Sequence, residues 1–258
     1  VNQLSPTRRF SDRVENYIKY RPDYPEKILV PLRAECGLSE VSLIADIGSG
    51  TGILSELFLK KGNTVFGIEP NAEMRTAGEK RLAKYNRFIS VNGTAEATTL
   101  ANHTVDFVTA AQAFHWFDRE KSRREFNRIL KPNGWVVLIW NDRKTDSTFL
   151  KAYEKLLLTH SLDYEKVDHR QIDDRVISSF FGSTNFRVAT FENDQHLDYS
   201  GLQGRLLSSS YVPNESHPRY TAMIENLMTI FNKHQVNGKV TIEYETKMFY
   251  GKLNMKQT

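Results

Sequence analysis

Two acids and the glycines between them hold the most chemistry in this 258-residue chain. Asp46 opens the run Asp-Ile-Gly-Ser-Gly-Thr-Gly, which contains Gly48, Ser49, Gly50 and Gly52; Glu69, followed by Pro70, ends the next apolar stretch. Glycines let a backbone turn tightly and approach a ligand without Cβ obstruction. An acid at the tip of the second strand is placed to grip a ribose, and hydrogen bonds to a charged acceptor contribute about 1.5–3 kcal/mol each. The dinucleotide pattern G-x-G-x-x-G fails, because Ile53 or Ser55 stands where the third glycine belongs, and no G-x-x-x-x-G-K-[ST] loop occurs.

Periodicity supplies the elements that must position these residues. Residues 42–47 read as a buried strand, Ile53, Leu54, Leu57 and Phe58 as a helical stripe stopped by Gly62, and 64–68 as a second strand, together a βαβ half-unit. Further on, 72–85 reads as a helix, 88–91 as a strand and 105–111 as a buried strand running into Gln112, Phe114, His115, Trp116 and Phe117. Ligands of open α/β sheets bind outside the carboxyl ends of strands, so this aromatic cluster should border the site. Asp118 is a candidate cap for a helix whose buried stripe is Phe126, Ile129 and Leu130, with Lys121, Arg123, Arg124 and Arg128 as its solvated face. Pro132, Asn133 and Gly134 turn the chain into a strand at 135–140. Beyond it lie a helix at 149–160, a solvated acidic segment at 163–174, the segment 176–181, a sixth strand at 186–196, helices at 199–209 and 220–233, and a long last strand at 240–253.

The acid-x-G-x-G-x-G run with Glu69 after the next strand resembles the first motif of the class I S-adenosylmethionine-dependent methyltransferases, and the LKPNGW turn before a fifth strand resembles the same pattern. That cofactor carries no phosphate, which agrees with the missing phosphate-binding lysine. The resemblance implies a Rossmann-like, mostly parallel seven-stranded sheet of order 3-2-1-4-5-7-6 with strand 7 antiparallel, helices on both faces and a small helical cap. It also implies that the backbone after the third strand, at Thr94, Ala95 and Glu96, holds the adenine. Thr94 fills the usual acid position there, so either Glu96 or the backbone makes the adenine contact.

Composition bounds the function. Lysine plus arginine exceed aspartate plus glutamate by 35 − 31 = 4, a mild surplus without a basic block, so no nucleic-acid partner is implied. Cys36 is alone, which suits a reducing compartment. No eighteen-residue apolar run and no signal-like N-terminus occur, so a cytoplasmic protein without a membrane span is expected, as a monomer or homodimer. The seven histidines show no metal-ligand spacing. One domain over 1–258 is expected: an N-terminal helical lid at 1–40, a cofactor core at 41–140, a cap with strand 6 at 141–239, and a final strand and tail at 240–258.

The acceptor side is less distinct. The segment 10–25 with Phe10, Tyr17, Tyr20 and Tyr24, the QAFHWF run and SSSYVP at 208–213 resemble a small-molecule methyltransferase group that includes trans-aconitate methyltransferase-like proteins. By that analogy Tyr20 and Arg21 lie near the cofactor's carboxylate and Gln112 near its amino group. Phe114, His115, Trp116, Arg205 and Tyr211 are the expected acceptor contacts. His115 serves a hydroxyl or amine acceptor as base or orienter, whereas a carboxylate acceptor needs no base and Arg205 or Arg21 would anchor it. Two alternatives stay open: a nicotinamide-dependent oxidoreductase, and a cofactor-binding partner protein without catalysis.

Overall fold

The computed structural model describes residues 14–162, 164, 173–182 and 184–254. Phe10, His169, most of the acidic segment at 163–174 and the ends of the expected lid and tail lie outside them. The described residues open with α1 (Val14–Tyr20), a single 3-10 turn at Glu26–Ile28, and α2 (Leu29–Cys36). α2, within the stretch expected as a helical lid, ends on Gly37 in the left-handed region (φ 73°).

The core then alternates strand and helix: β1 (Leu43–Ile47), α3 (Ile53–Leu59), β2 (Thr64–Ile68), α4 (Ala72–Leu82), β3 (Phe88–Val91) and β4 (Val105–Ala111). Next come α5 (Arg119–Ile129), β5 (Leu130–Arg143), α6 (Thr148–His160), α7 (Asp174–Phe181), β6 (Arg187–Leu197), α8 (Tyr199–Leu207), α9 (Tyr220–His234) and β7 (Val240–Gly251). The helix caps follow sequence: Asn71, Asp118, Ser147, Asp173 and Asp198 each accept a backbone N–H from the first turn of the helix they precede. On α5, Arg124 pairs with Glu120 and Arg128 with Glu125, so the expected basic face is largely an ion-paired one.

The sheet order is β3-β2-β1-β4-β5-β7-β6. β1 to β5 are parallel, and β7 runs antiparallel to both neighbours. Helices cover both faces, so both faces are apolar: Ile47, Val108, Phe126 and Phe180 pack on one, Ile44, Phe58, Val65 and Ile139 on the other. β5 begins five residues earlier than expected. The Pro132–Asn133–Gly134 turn is an irregularity inside it, because Leu130 pairs with Val105 and the next pair is Trp135 with Phe107.

One feature of this topology positions the acceptor side. The β5 pairing with β7 ends at Arg143 opposite Tyr244, while β7 continues back to Val240 paired with β6. The β6–β7 ribbon therefore overhangs the carboxyl edge of the parallel strands. Its overhang is covered by α6, α8 and α9 around Leu150, Leu157, Leu206, Leu227, Ile242 and Tyr244. The cap is thus a third apolar core built on the end of the sheet.

Candidate active site

The glycine loop is tied to the end of β2, where Ile68 O accepts from Gly48 N at 2.8 Å and Ser49 N at 3.1 Å. Glu69 then closes the loop from the far side, accepting Gly50 N at 2.9 Å and Asn71 N at 2.8 Å. A carboxylate has about four lone-pair sites, so two remain for ribose hydroxyls. Asp46, 1% exposed, accepts from Ser55 Oγ at 2.6 Å and Thr109 Oγ1 at 3.1 Å. Burial pushes its carboxyl up to about 6 against those two hydrogen bonds, with the nearby Glu69 charge adding to the rise. Burial also raises Glu69, opposed by the two backbone N–H groups. Two acids under strain to ionise favour a positively charged ligand.

The glycines divide by purpose. All three have positive φ, yet a Cβ on Gly48 would lie 2.7 Å from Ala113 Cβ and one on Gly52 2.5 Å from Leu82 Cδ1. At Gly50 it would meet only Met74 Cε, at 3.4 Å. Gly48 and Gly52 are therefore required by internal packing, and Gly50 is the position where the loop is open to a ligand. A sulfonium nucleoside with an ammonium group fits this donor set: open loop, ribose acid and a buried acid, with no cation for phosphate.

After β3, Thr94 and Ala97 exchange backbone hydrogen bonds in an isolated bridge, which holds Thr94 exposed and Ala95 buried. Glu96 Oε1 accepts from Asp118 N at 2.9 Å, so this carboxylate ties the loop to the start of α5. Gln112 sits at the end of β4 in the left-handed region (φ 52°). Its Nε2 donates to Asn141 O at 3.1 Å, which fixes the amide beside the loop. Asn141 was not expected from sequence. It is buried, donates to Asp23 O at 3.2 Å and accepts from Thr246 Oγ1, so it joins β4, β5, β7 and the N-terminal segment.

Phe114, expected at the acceptor, and Tyr20, expected near the cofactor's carboxylate, both turn away. Phe114 is 0% exposed and packs edge-on against Phe117, Trp140 and Phe180; it is core, because the 3-10 turn Phe114–Trp116 sends successive side chains about a third of a turn apart. Tyr20 lays its ring on α8, where a Cβ on Gly204 would come within 2.0 Å of it, and its phenol meets Lys19 and Ser200. In place of Tyr20, Tyr24 lies close enough to Asp46 and Arg21 to feel both charges. His115 and Trp116 stay partly exposed with ring centroids 4.8 Å apart.

Arg205, 7% exposed, donates Nε to Tyr244 Oη at 3.0 Å and Nη1 to Ser209 Oγ at 3.2 Å. Tyr244 in turn donates to Gln195 Oε1 at 2.9 Å. Arg21 donates Nη2 to Ser208 O at 3.0 Å and stacks over Tyr17 at 4.9 Å. Tyr211 lies near both guanidinium groups and packs on Tyr164 at 4.9 Å. Arg143, not expected from sequence, joins this cage from the end of β5, paired with Glu154 and over the Tyr153 ring at 4.9 Å.

A mostly parallel seven-stranded sheet of this order, with a glycine loop after β1 and an acid after β2, is a Rossmann-like fold. Residues 45–138 match the family model described as a methyltransferase domain. A Schizosaccharomyces pombe protein described as an uncharacterized methyltransferase is 32% identical over 151 residues, 58% of this chain and 59% of that one. A second protein of that yeast, described as methyltransferase-like, is 26% identical over 246 residues, 94% of each chain. The fold is shared with a solved Anaeromyxobacter dehalogenans protein described as a candidate type II methyltransferase, at 18% identity and a TM-score of 0.65, covering 91% of this chain and 98% of that one. Residues 45–138 are a class I methyltransferase domain, and S-adenosylmethionine is its cofactor. No described helix is long and apolar enough to cross a membrane.

Proposed function

We propose that the whole chain transfers the methyl group of S-adenosylmethionine to a small-molecule acceptor that presents a carboxylate. The observation that carries this reading is the pair Arg21 and Arg205, a half-buried and a buried guanidinium group among tyrosines. Bound in the loop, the cofactor supplies a methyl group already activated by a sulfonium. The protein's part is positioning, and effective molarity alone is worth about 7–11 kcal/mol. Gly50, Glu69, Ser49 and Pro70 hold the ribose side, Thr94 to Glu96 the adenine side, and Asp46 and Gln112 the amino-acid side, which leaves Arg21 to the acceptor. The lid at 1–40 and the cap at 141–239 act with the core as one domain, and among their described residues Arg21 of the lid donates to Ser208 O of the cap.

A carboxylate is ionised at neutral pH and attacks without a base, so the arginines orient it and the cap excludes water. The test has two parts. Calorimetry with S-adenosylmethionine and its demethylated product should show binding, and a panel of carboxylic acids should give methyl esters while matched amides do not. Binding without turnover on any carboxylate refutes this acceptor class and favours a partner protein without catalysis.

A hydroxyl acceptor is a second reading, favoured by the partly exposed His115 at the carboxyl edge of β4. It requires His115→Ala to lower turnover while cofactor affinity stays nearly unchanged. Equal turnover in that variant leaves His115 as packing.

A further inference from the structure

Arg21 and Arg205 reach the acceptor region from two separate parts of the chain. Arg21 belongs to the strap that follows α1 and runs to Pro25; Arg205 projects from α8. Among the described residues neither guanidinium pairs with a carboxylate, and Arg21 Nε is buried without a hydrogen-bond partner. The third cation of the cage, Arg143, already has Glu154. Burial works against the charge on Arg21, and the nearby Arg205 charge works against it further. The surrounding phenols do not neutralise the pair: burial holds Tyr153 up at about 12, so it presents an oxygen and no charge near pH 7. A half-buried and a buried like charge with no counter-ion among the described residues are costly, and the cost is relieved by separation or by an anion.

Separation is available through the strap. Most of its other polar ties are to backbone carbonyls: Gln195 Nε2 donates to Tyr20 O at 3.1 Å, and Asn193 Nδ2 and Asn141 Nδ2 to Asp23 O at 2.8 and 3.2 Å, while the exposed Asp23 carboxylate lies 3.8 Å from Arg81. A cleft of about 450 Å³ lies beside α1, which leads into the strap, lined among others by Asn16, Leu207, Pro213 and Tyr220. The buried cap core of Leu202, Leu206 and Tyr244 belongs to α8 and β7 and stays in place if the strap moves at Arg21, while Pro22 is buried and Tyr24 packs on the core of Ile28 and Leu29, so these two anchor the strap's far end.

The geometry points to a split anion site: Arg21 on the strap and Arg205 on α8 are the two halves of a carboxylate clamp, and the acceptor completes it and holds the strap shut. This rests on the carboxylate-acceptor reading above. Guanidinium forks match a carboxylate bidentately, so one anion can bridge two forks that otherwise repel. The acceptor then acts as its own latch. Closure follows acceptor entry and excludes water from the methyl-transfer site when the acceptor is in place.

The test is backbone hydrogen exchange across residues 14–25 in the full chain, loaded with the demethylated cofactor. Succinate and benzoate are the probes at constant ionic strength, succinamide is the uncharged control, and melting temperature reports binding separately. A carboxylate that raises the melting temperature should slow exchange across the strap about tenfold, and succinamide should not. Arg205→Met should slow strap exchange without any ligand, since the repulsion is gone, and should abolish the response to carboxylate. If that variant unfolds, Arg21→Met is used: it should keep part of the melting response and lose the exchange response. Carboxylate binding that leaves strap exchange unchanged overturns the clamp and spares the acceptor reading. No binding of either carboxylate overturns both.

Discussion

Asp46→Asn is expected to make the protein more stable and less able to bind its cofactor, and the pH dependence of the gain identifies its origin. A carboxyl moved from its ordinary 3.8 to about 6 ionises in the fold at a cost about 3 kcal/mol greater than in the unfolded chain. Between those two values the folded state holds a proton that the unfolded state has released, so stability falls as pH rises. The loss is absent below 3.8 and complete above about 6. Asparagine does not titrate and escapes it. Its amide oxygen accepts from one of the two hydroxyls, Ser55 Oγ or Thr109 Oγ1, and the hydroxyl that faces the amide nitrogen can rotate to accept instead. A hydrogen bond weakened by about 1 kcal/mol shifts the variant's stability by a constant and leaves its pH dependence alone. Urea denaturation from pH 4 to pH 8 should therefore give a difference between variant and native chain that opens between pH 4 and 6 and is flat above. At the plateau the net gain is about 2–3 kcal/mol, or about 5–10 °C in Tm for a chain of this size. Calorimetry at pH 7.5 should show S-adenosylmethionine affinity reduced about tenfold or more, the usual exchange of stability for function at a strained site. A stability difference that is the same at pH 4 and pH 8 refutes the burial argument, whatever its size.

Other substitutions separate packing from binding. Gly52→Ala places a Cβ at φ 80° and 2.5 Å from Leu82 Cδ1 and should cost about 2–4 kcal/mol in urea denaturation. Gly50→Ala, with its nearest atom at 3.4 Å, should cost about 1–2 kcal/mol and weaken cofactor binding by calorimetry far more than Gly52→Ala does. Glu69→Gln loses charge from its hydrogen bonds to Gly50 N and to the ribose, and should weaken the demethylated cofactor about 10- to 100-fold; unchanged affinity removes Glu69 from the site. Burial pushes Glu125 up, but hydrogen bonds from Arg128 and Thr98 hold it down to about 2. Its stabilisation is present above the ordinary 4.5 and is lost as pH falls towards 2. Glu125→Ala should cost about 2–3 kcal/mol at pH 7, and the difference from the native chain should shrink below pH 4, opposite in sense to the Asp46 curve.

The cofactor half was legible because its ligand is held by local means. The strand–glycine–helix–strand–acid order is contiguous over residues 43–69, and each step has its own sequence signal: β-branched run, glycines, helical stripe, second strand, Glu69. Boundaries fell close to expectation there and at β3, β4 and the Asp118 cap. α2 falls inside the expected helical lid at 1–40 without bounds of its own; Pro31 stands in its first turn, where proline is tolerated. The early start of β5 was hidden by Pro132 and Asn133, which in a parallel strand near an edge of its pairing can bulge outward instead of ending it. Strand order came from resemblance, since periodicity says nothing about which strands are neighbours.

The half proposed to take the acceptor is tertiary throughout. Arg205 and Tyr244 meet across 39 residues and Arg21 reaches Ser208 across 187, so no window of sequence contains the cage. Phe114 and His115 are adjacent in the chain, yet one is core and the other borders the site, a distinction set by the phase of a single 3-10 turn. Asn141 carried a readable signal, a polar residue ending the apolar run Trp135–Trp140, but its meaning depends on four partners contributed by other segments. A site that binds through backbone amides is written in the local order of glycines and acids; a site that chooses its acceptor is written in how distant side chains share buried charge, and Arg21 with Arg205 is where that sharing is left incomplete.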